Sequence, residues 1–245
     1  MNIKDYQVVV LGIIISLGCV FSTYILSKAV VDFQKIQTQT IRVTGSASQQ
    51  VTSDSASWTV TLRTKNSTLK EGYAKLSTDA KLINKFLLAK GFDEKDIVFG
   101  AINSYENYGR YPNGSMSNDV VGYTVYQSVT VNSNDVDKIT EVSKNAEELI
   151  KQNINLNAEN VRYFVSNLDD IKIKMVGEAT KNAKQRAESM VRGTNGKIGS
   201  MNSAKMGVFQ IVPINSTDVS DYGINDTSSI EKKVVATVNA TFNVK

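Results

Sequence analysis

The chain has 245 residues, 41% of them hydrophobic, and a formal net charge of +4. It contains no histidine and one cysteine, which excludes Ser-His-Asp and Cys-His catalysis, zinc sites made of His or Cys, and intrachain disulfides. The positive charge is too small to favour nucleic acid as a partner. We therefore expect no cofactor, no metal, no nucleic-acid partner and no enzymatic activity.

An uncharged apolar run occupies residues 8–26 near the N-terminus. As a helix its nineteen residues span about 29 Å, close to the hydrocarbon thickness of a bilayer of about 30 Å. The hydroxyls of Ser16, Ser22 and Thr23 can bond to carbonyls one turn earlier, so they do not prevent insertion. The run predicts a membrane-spanning helix that stays attached to the chain.

Two other readings of this run stay open. Residues 27–29, Ser-Lys-Ala, form a small-x-small site, so a secreted form cleaved near Ala29 is the main alternative. Lipidation at Cys19 is disfavoured because Ser16 stands where an aliphatic residue is needed.

The positive residues that flank the run are more numerous on its C-terminal side. By count alone, this favours a cytoplasmic location for the rest of the chain. Long domains translocate largely regardless of such charges, so they leave the orientation undecided.

The remaining sequence predicts a short stalk and one folded domain. Residues 1–31 form the anchor, the polar residues 32–40 form the stalk, and residues 41–245 form a domain that has one core or two lobes. Alternation of apolar and polar residues predicts strands at 41–43, 56–63, 97–107, 121–132, 161–167, 197–201, 207–212 and 234–244.

Helical periodicity predicts three helices between these strands. The first is capped by Thr68, with Glu71 completing a capping box, and ends at Gly91. The second opens at Asn134. The third covers residues 169–192, and its predicted inward stripe is Val176, Ala179, Ala183, Ala187 and Met190. The order of elements predicts an α+β fold, a mostly antiparallel sheet with helices packed on one face.

The candidate binding residues are Tyr105, Tyr108 and Tyr111, beside a loop of turn residues at 106–119. Tyrosine offers a large contact area with a polar tip, so these side chains are predicted to bind a partner or ligand. The alternative is that they cover the sheet surface. The carboxylates of Asp93, Glu94 and Asp96 suit a charged turn better than acid–base catalysis, and the cations of residues 170–197 suit a solvated helix face.

Several segments together resemble the SIMPL family, a bacterial domain of unknown function. They include IRVTGSASQQV, SASWTVTL, VVGYTVYQSVTV, ATKNAKQRAESM and VVATVNATFNV, in family order over about residues 41–244. The chain departs from the family at 51–54, Val-Thr-Ser-Asp, where members usually have proline before the aspartate. The resemblance implies that the domain is extracytoplasmic and that the N-terminus of the chain lies on the cytoplasmic side of the membrane. It also implies assembly into oligomers and a role in envelope or oxidative stress, without catalytic residues.

The leading functional hypothesis is a non-enzymatic, membrane-anchored scaffold that forms a homo-oligomer. The second is a binding module in which the tyrosine-rich loop captures a peptide, a glycan or a small ligand. A hydrolase built on carboxylates alone is the third and weakest. The identity of a ligand does not follow from the residues.

Overall fold

The computed structural model describes the backbone of residues 3–245 and the side chains of residues 10–31 and 39–245. The chain forms two compact units. The first contains Met1–Ser48, Ile173–Val208 and Val235–Lys245, and the second contains Gln49–Lys172 and Phe209–Val234. Three long elements contribute residues to both units.

Helix α1 (Ile3–Thr38) contains the predicted span and residues 32–38 of the segment predicted as a stalk. Its part Val10–Val31 is long and apolar enough to cross a membrane, and the side chains there are exposed. The predicted hydroxyl bonds are present, since Ser16 Oγ donates to Gly12 O at 2.8 Å and Thr23 Oγ1 donates to Cys19 O at 2.7 Å. The helix thus satisfies its own polar groups, as lipid requires.

The first unit contains strand β8 (Ile198–Met206) and most of strands β1 (Thr40–Thr52) and β11 (Glu231–Val244). β11 pairs antiparallel with β8, with Val238 opposite Met206. Its other neighbour is β1, where Val244 N donates to Gln39 O at 2.8 Å and Thr44 Oγ1 donates to Asn239 Oδ1 at 2.6 Å.

Helix α5 (Leu168–Arg192) packs closely against β1 in this unit. Ala179, Ala183 and Ala187 are fully buried, as predicted. A Cβ atom added to Gly45 would lie 2.6 Å from Ala183 Cβ, so only glycine fits there. The C-terminal end of the predicted stripe is wrong, because Met190 is 59% exposed and Val191 is buried instead.

The second unit is built on an antiparallel sheet. Its strands are β2 (Ser55–Asn66), β3 (Ile97–Phe99), β4 (Asn103–Arg110), β5 (Met116–Ser133), β6 (Leu156–Ala158) and β7 (Arg162–Phe164). The order is β3-β5-β2-β6, and β4 and β7 pair with β5 and β2 respectively. Beside β11, strand β9 (Gln210–Pro213) pairs in parallel with β10 (Ile224–Asn225).

Three helices accompany this sheet: α2 (Leu69–Ala89), α3 (Val136–Lys144) and α4 (Glu147–Ile150). The fully buried side chains of the core include Trp58, Val60, Leu62, Leu76, Ile83, Leu87, Val125, Val129, Val131, Ile139 and Leu149. The core members of β2 and β5 occupy paired positions such as Trp58 and Val131, which puts the core on one face of these strands.

The helix ends agree in part with the sequence predictions. Thr68 Oγ1 accepts from Glu71 N at 3.3 Å, as the capping box requires, whereas α3 is capped by Asp135 and not by Asn134. The apolar spacing in the sequence of α2 predicts an inward position for Tyr73, but this side chain is 40% exposed. Asp79 is buried instead, and Lys75 Nζ lies 2.5 Å from its carboxylate.

The α+β class with antiparallel-rich sheets is confirmed. The strands form two sheets and not one, and the β9–β10 pair is parallel. The largest local error concerns residues 106–119, because most of this predicted loop is β-strand.

Candidate functional site

The predicted tyrosine loop is a long β-hairpin formed by β4 and β5. Asn107 lies opposite Gly122, and Arg110 lies opposite Met116. The pairing of β5 with β2 ends at Asn66 opposite Tyr123. Within the described part of the chain, residues 107–122 therefore have no strand partners except each other, and they extend past β2 as a two-stranded ribbon. We call residues 107–122 the hairpin arm.

The turn at the end of the arm has its own hydrogen bonds. Tyr111 N donates to Ser115 O at 2.9 Å, and Gly114 N donates to Tyr111 O at 2.8 Å. Asn113 Oδ1 accepts from both the main-chain N and the hydroxyl of Ser115. Gly114 has a φ of +85°, a conformation that favours glycine. The Pro-Asn-Gly sequence thus forms the turn of a hairpin, where the sequence predicted a long loop.

Tyr105 lies at the base of the arm and packs against Tyr126 of β5. Their ring centroids are 6.1 Å apart and the ring planes are tilted by 56°, which is within the range of favourable aromatic pairs. Tyr105 is still 48% exposed. The pair therefore leaves half of one ring available to a partner.

Tyr108 and Tyr111 lie within the arm itself. Tyr108 Oη donates to Glu106 Oε2 at 2.6 Å, and this bond to a carboxylate raises the pKa of Tyr108 above its ordinary value. Both rings are about half exposed, at 43% and 52%. Tyr108 bonds to Glu106 and therefore lies on the same face of β4 as Glu106, whereas Tyr105, one residue before Glu106, points to the opposite face. Tyr105 and Tyr108 share the hairpin but do not converge on one site.

The arm exposes further apolar side chains that the sequence analysis did not single out. Met116 is 68% exposed and Val121 is 60% exposed, beside the half-exposed Val120. Val98 and Phe99 of β3 and the nearby Ile102 are also exposed, on the side of β5 that pairs with β3 and β4. A concentration of exposed apolar side chains on one hairpin is typical of a contact surface.

The outer edge of β4 has no strand partner among the described residues. Such an edge presents main-chain N–H and C=O groups that can pair with a strand from another chain. The apolar side chains and the free edge occupy the same hairpin. Together they form the candidate interaction surface.

The carboxylates of the weakest hypothesis lie in a short exposed turn. Asp93 Oδ2 is 3.3 Å from Lys95 Nζ, and both side chains are more than two thirds exposed. Within the described residues, no group of three acidic, cysteine or histidine side chains is placed to hold a metal. The absence of enzymatic activity stays a prediction.

A buried lysine lies elsewhere in the second unit. Lys232 is 2% exposed, and its Nζ donates to Tyr163 O and to Asp226 O, both at 2.6 Å. Burial lowers the pKa of Lys232, and the nearby charge of Asp226 partly opposes this shift. Both acceptors are main-chain carbonyls, so we interpret the lysine as a structural link between β7, the loop before β11, and β11. The alternation of the last strand, extended two residues back from Val234, would have indicated this inward position.

Asp54 forms a second polar link. Its carboxylate accepts from Ser166 Oγ at 2.5 Å and from Ser166 N at 2.8 Å, and these hydrogen bonds lower the pKa of Asp54. Because the partners are 112 residues apart, the sequence offered no local signal for this contact.

The comparison with protein families gives a match over most of the chain. Residues 41–242 match the model of the SIMPL family, whose description is "Protein of unknown function (DUF541)". The chain belongs to the SIMPL family. No curated protein matches the chain.

The segments that carried the resemblance occupy central places in the SIMPL fold. IRVTGSASQQV lies in β1 and contains Gly45, which contacts the helix formed by ATKNAKQRAESM. VVGYTVYQSVTV lies in β5 and begins within the hairpin arm. The arm therefore lies within the residues that match the SIMPL family.

Proposed function

We propose that this SIMPL protein is a non-enzymatic module that is tethered to a membrane by α1 and that self-associates through the hairpin arm. The domain is proposed to be extracytoplasmic, with the N-terminus of the chain in the cytoplasm, and to act in envelope or oxidative stress. The observation that carries the proposal is the exposed apolar arm with its free strand edge.

The properties of α1 support the tether. Its apolar section, Val10–Val31, has no buried residues in the described structure, so the domain does not use it as a core helix. Insertion into lipid would remove this apolar surface from water.

The arm supports self-association more than ligand capture. A small ligand needs side chains that converge on a concave site, and Tyr105 and Tyr108 point to opposite faces of one strand. A second copy of the chain can contact both faces and pair with the open edge of β4. Capture of a peptide, a glycan or a small ligand by Tyr105, Tyr108 and Tyr111 is the alternative proposal, supported by the half-exposed ring of Tyr105.

The double substitution Met116→Glu and Val121→Glu tests the arm. Both side chains are exposed, so their replacement leaves the core intact. Loss of two apolar contacts and the introduction of charge should weaken self-association by about 3 kcal/mol, or roughly a hundredfold in Kd. Sedimentation equilibrium of the full chain in detergent should show a wild-type oligomer and a largely monomeric variant.

The matched control is Val219→Glu with Tyr222→Glu, two residues that are 81% and 97% exposed outside the arm. The control should sediment like the wild type. A wild-type chain that sediments at its monomer mass of 26.9 kDa would contradict self-association. An equal effect of both variants would contradict the role of the arm. Loss of peptide or glycan binding in Tyr105→Ala, with the oligomer retained, would favour the alternative.

A further inference from the structure

The ends of three strands meet where α1 leads into the first unit. Gln39 follows the last residue of α1, and its carbonyl accepts a hydrogen bond from Val244 N at 2.8 Å. Next to it, Lys197 and Lys245 exchange two main-chain hydrogen bonds, of 2.9 Å and 2.7 Å. The beginning of β8 and the end of β11 are therefore fixed beside the point where the predicted anchor enters the domain.

This end of the unit carries exposed cations. Arg192, Lys197 and Lys245 are all exposed, and within the described residues none of them forms an ion pair. Arg192 and Lys197 line a shared surface cavity whose one acidic lining residue is Glu188. Glu188 lies 3.8 Å from Lys184 Nζ, so another lysine already offsets its charge. We call Arg192, Lys197 and Lys245 the basic rim.

The geometry of α1 places the basic rim close to a bilayer. The apolar section ends at Val31, and the helix continues for seven residues to Thr38. Seven helical residues rise about 10 Å. Each headgroup layer is about 5 to 8 Å thick, and a surface potential acts over a Debye length of about 8 Å. Lysine and arginine side chains on the rim are therefore within reach of lipid phosphates.

We propose that the basic rim docks on the phosphate groups of anionic lipids and so holds the first unit against the membrane. The inference rests on the proposed tethering by α1. Attachment of the chain to the same bilayer makes this contact intramolecular, so three charges suffice where a free protein would need more. It also gives a specific role to part of the basic segment at residues 170–197, which the proposed self-association does not use.

The experiment uses the full chain in nanodiscs that hold one copy each. One set contains phosphatidylcholine, and the other contains an equal mixture of phosphatidylcholine and phosphatidylglycerol. Hydrogen–deuterium exchange is followed in peptides that cover residues 193–200 and 240–245. Each rim charge near an anionic surface favours the docked state about fivefold, so exchange should slow at least about tenfold in the anionic discs. About 1 M salt should remove the difference, because it reduces the Debye length to about 3 Å.

The test variant combines Arg192→Gln, Lys197→Gln and Lys245→Gln. The two peptides of this variant should exchange at the same rate in both kinds of disc. In phosphatidylcholine discs this rate should equal that of the wild type, which would show that the strands still form. The matched control removes three exposed cations of α2 through Lys70→Gln, Lys81→Gln and Lys85→Gln, and it should keep the lipid dependence.

The docking would be overturned by equal exchange of the wild type in both discs, by a lipid dependence that survives in the rim variant, or by equal protection from inorganic phosphate added to phosphatidylcholine discs. Protection that needs two copies in a disc would assign the rim to a contact between copies and would also overturn it. Failure of the chain to enter the discs would count against the tether itself, which distinguishes the two proposals.

Discussion

We expect the substitution Gly45→Ala to lower the free energy of unfolding by about 2 to 3 kcal/mol, as overpacking at a rigid contact does. The added methyl group would lie 2.6 Å from Ala183 Cβ and still closer to main-chain atoms of Ala179 and Ala183. Main-chain atoms of a helix cannot rotate away, so β1 and α5 would have to separate. Denaturant unfolding of the full chain in detergent, followed by far-UV circular dichroism, measures the change.

The control for this prediction is Gly177→Ala in the same helix. A Cβ atom there has no heavy atom within 4 Å, so the substitution should stabilise α5 by about 0.5 to 1 kcal/mol through helix propensity. Opposite signs at Gly45 and Gly177 would confirm the close contact. A neutral Gly45→Ala variant would show that β1 and α5 are not packed as described.

The second large effect is expected for Lys232→Met, which keeps most of the side-chain volume and removes the donor. The carbonyl of Tyr163 would lose a buried hydrogen bond and that of Asp226 a partly buried one, both of 2.6 Å. An unsatisfied buried acceptor costs about 1 to 3 kcal/mol, and relief of the buried charge offsets part of the loss. We expect a net destabilisation of about 2 kcal/mol at neutral pH in chemical unfolding.

The pH dependence gives this prediction a second readout. Burial lowers the pKa of Lys232 in the folded protein, so the unfolded chain keeps its proton to a higher pH. Between the two pKa values the unfolded state binds more protons, and stability therefore rises with pH up to the ordinary lysine value of about 10.4. This rise should be absent from Lys232→Met.

The neighbouring lysine is the control. Lys233 donates to one carbonyl, that of Ser216, at 3.0 Å, and its Nζ is only partly buried. Lys233→Met should lose about 1 kcal/mol or less and keep the wild-type pH profile. Equal losses and equal profiles for the two variants would contradict the buried role of Lys232.

Features with a local cause were predictable from the sequence. The nineteen-residue run indicated the apolar helix, Thr68 indicated the start of α2, and the alanine stripe at Ala179 and Ala183 indicated close packing. Each depends on residues within a few turns of one another. The resemblance to SIMPL segments added the family, which the match over residues 41–242 confirms.

The candidate site was predicted only in part, because its shape depends on strand pairing. Turn-forming residues at 106–119 suggested a loop, whereas pairing across the hairpin makes most of them β-strand. The three tyrosines were found, but the opposite orientation of Tyr105 and Tyr108 follows from their places on strand β4. Met116 and Val121 were missed because exposure is not visible in a sequence. Asp54 was missed because its partner Ser166 is 112 residues away, and Lys232 was missed because the alternation of the last strand was followed only from Val234.

The most direct test of a membrane-tethered SIMPL module is the intact mass of the chain recovered from carbonate-washed membranes. Alkaline carbonate removes peripheral proteins and leaves those held by a membrane-spanning helix. We expect the chain in the membrane pellet at its full mass of 26.9 kDa, with α1 retained. Recovery of the full-length chain in the carbonate supernatant, or of a secreted form that begins after Ala29, would contradict the tether.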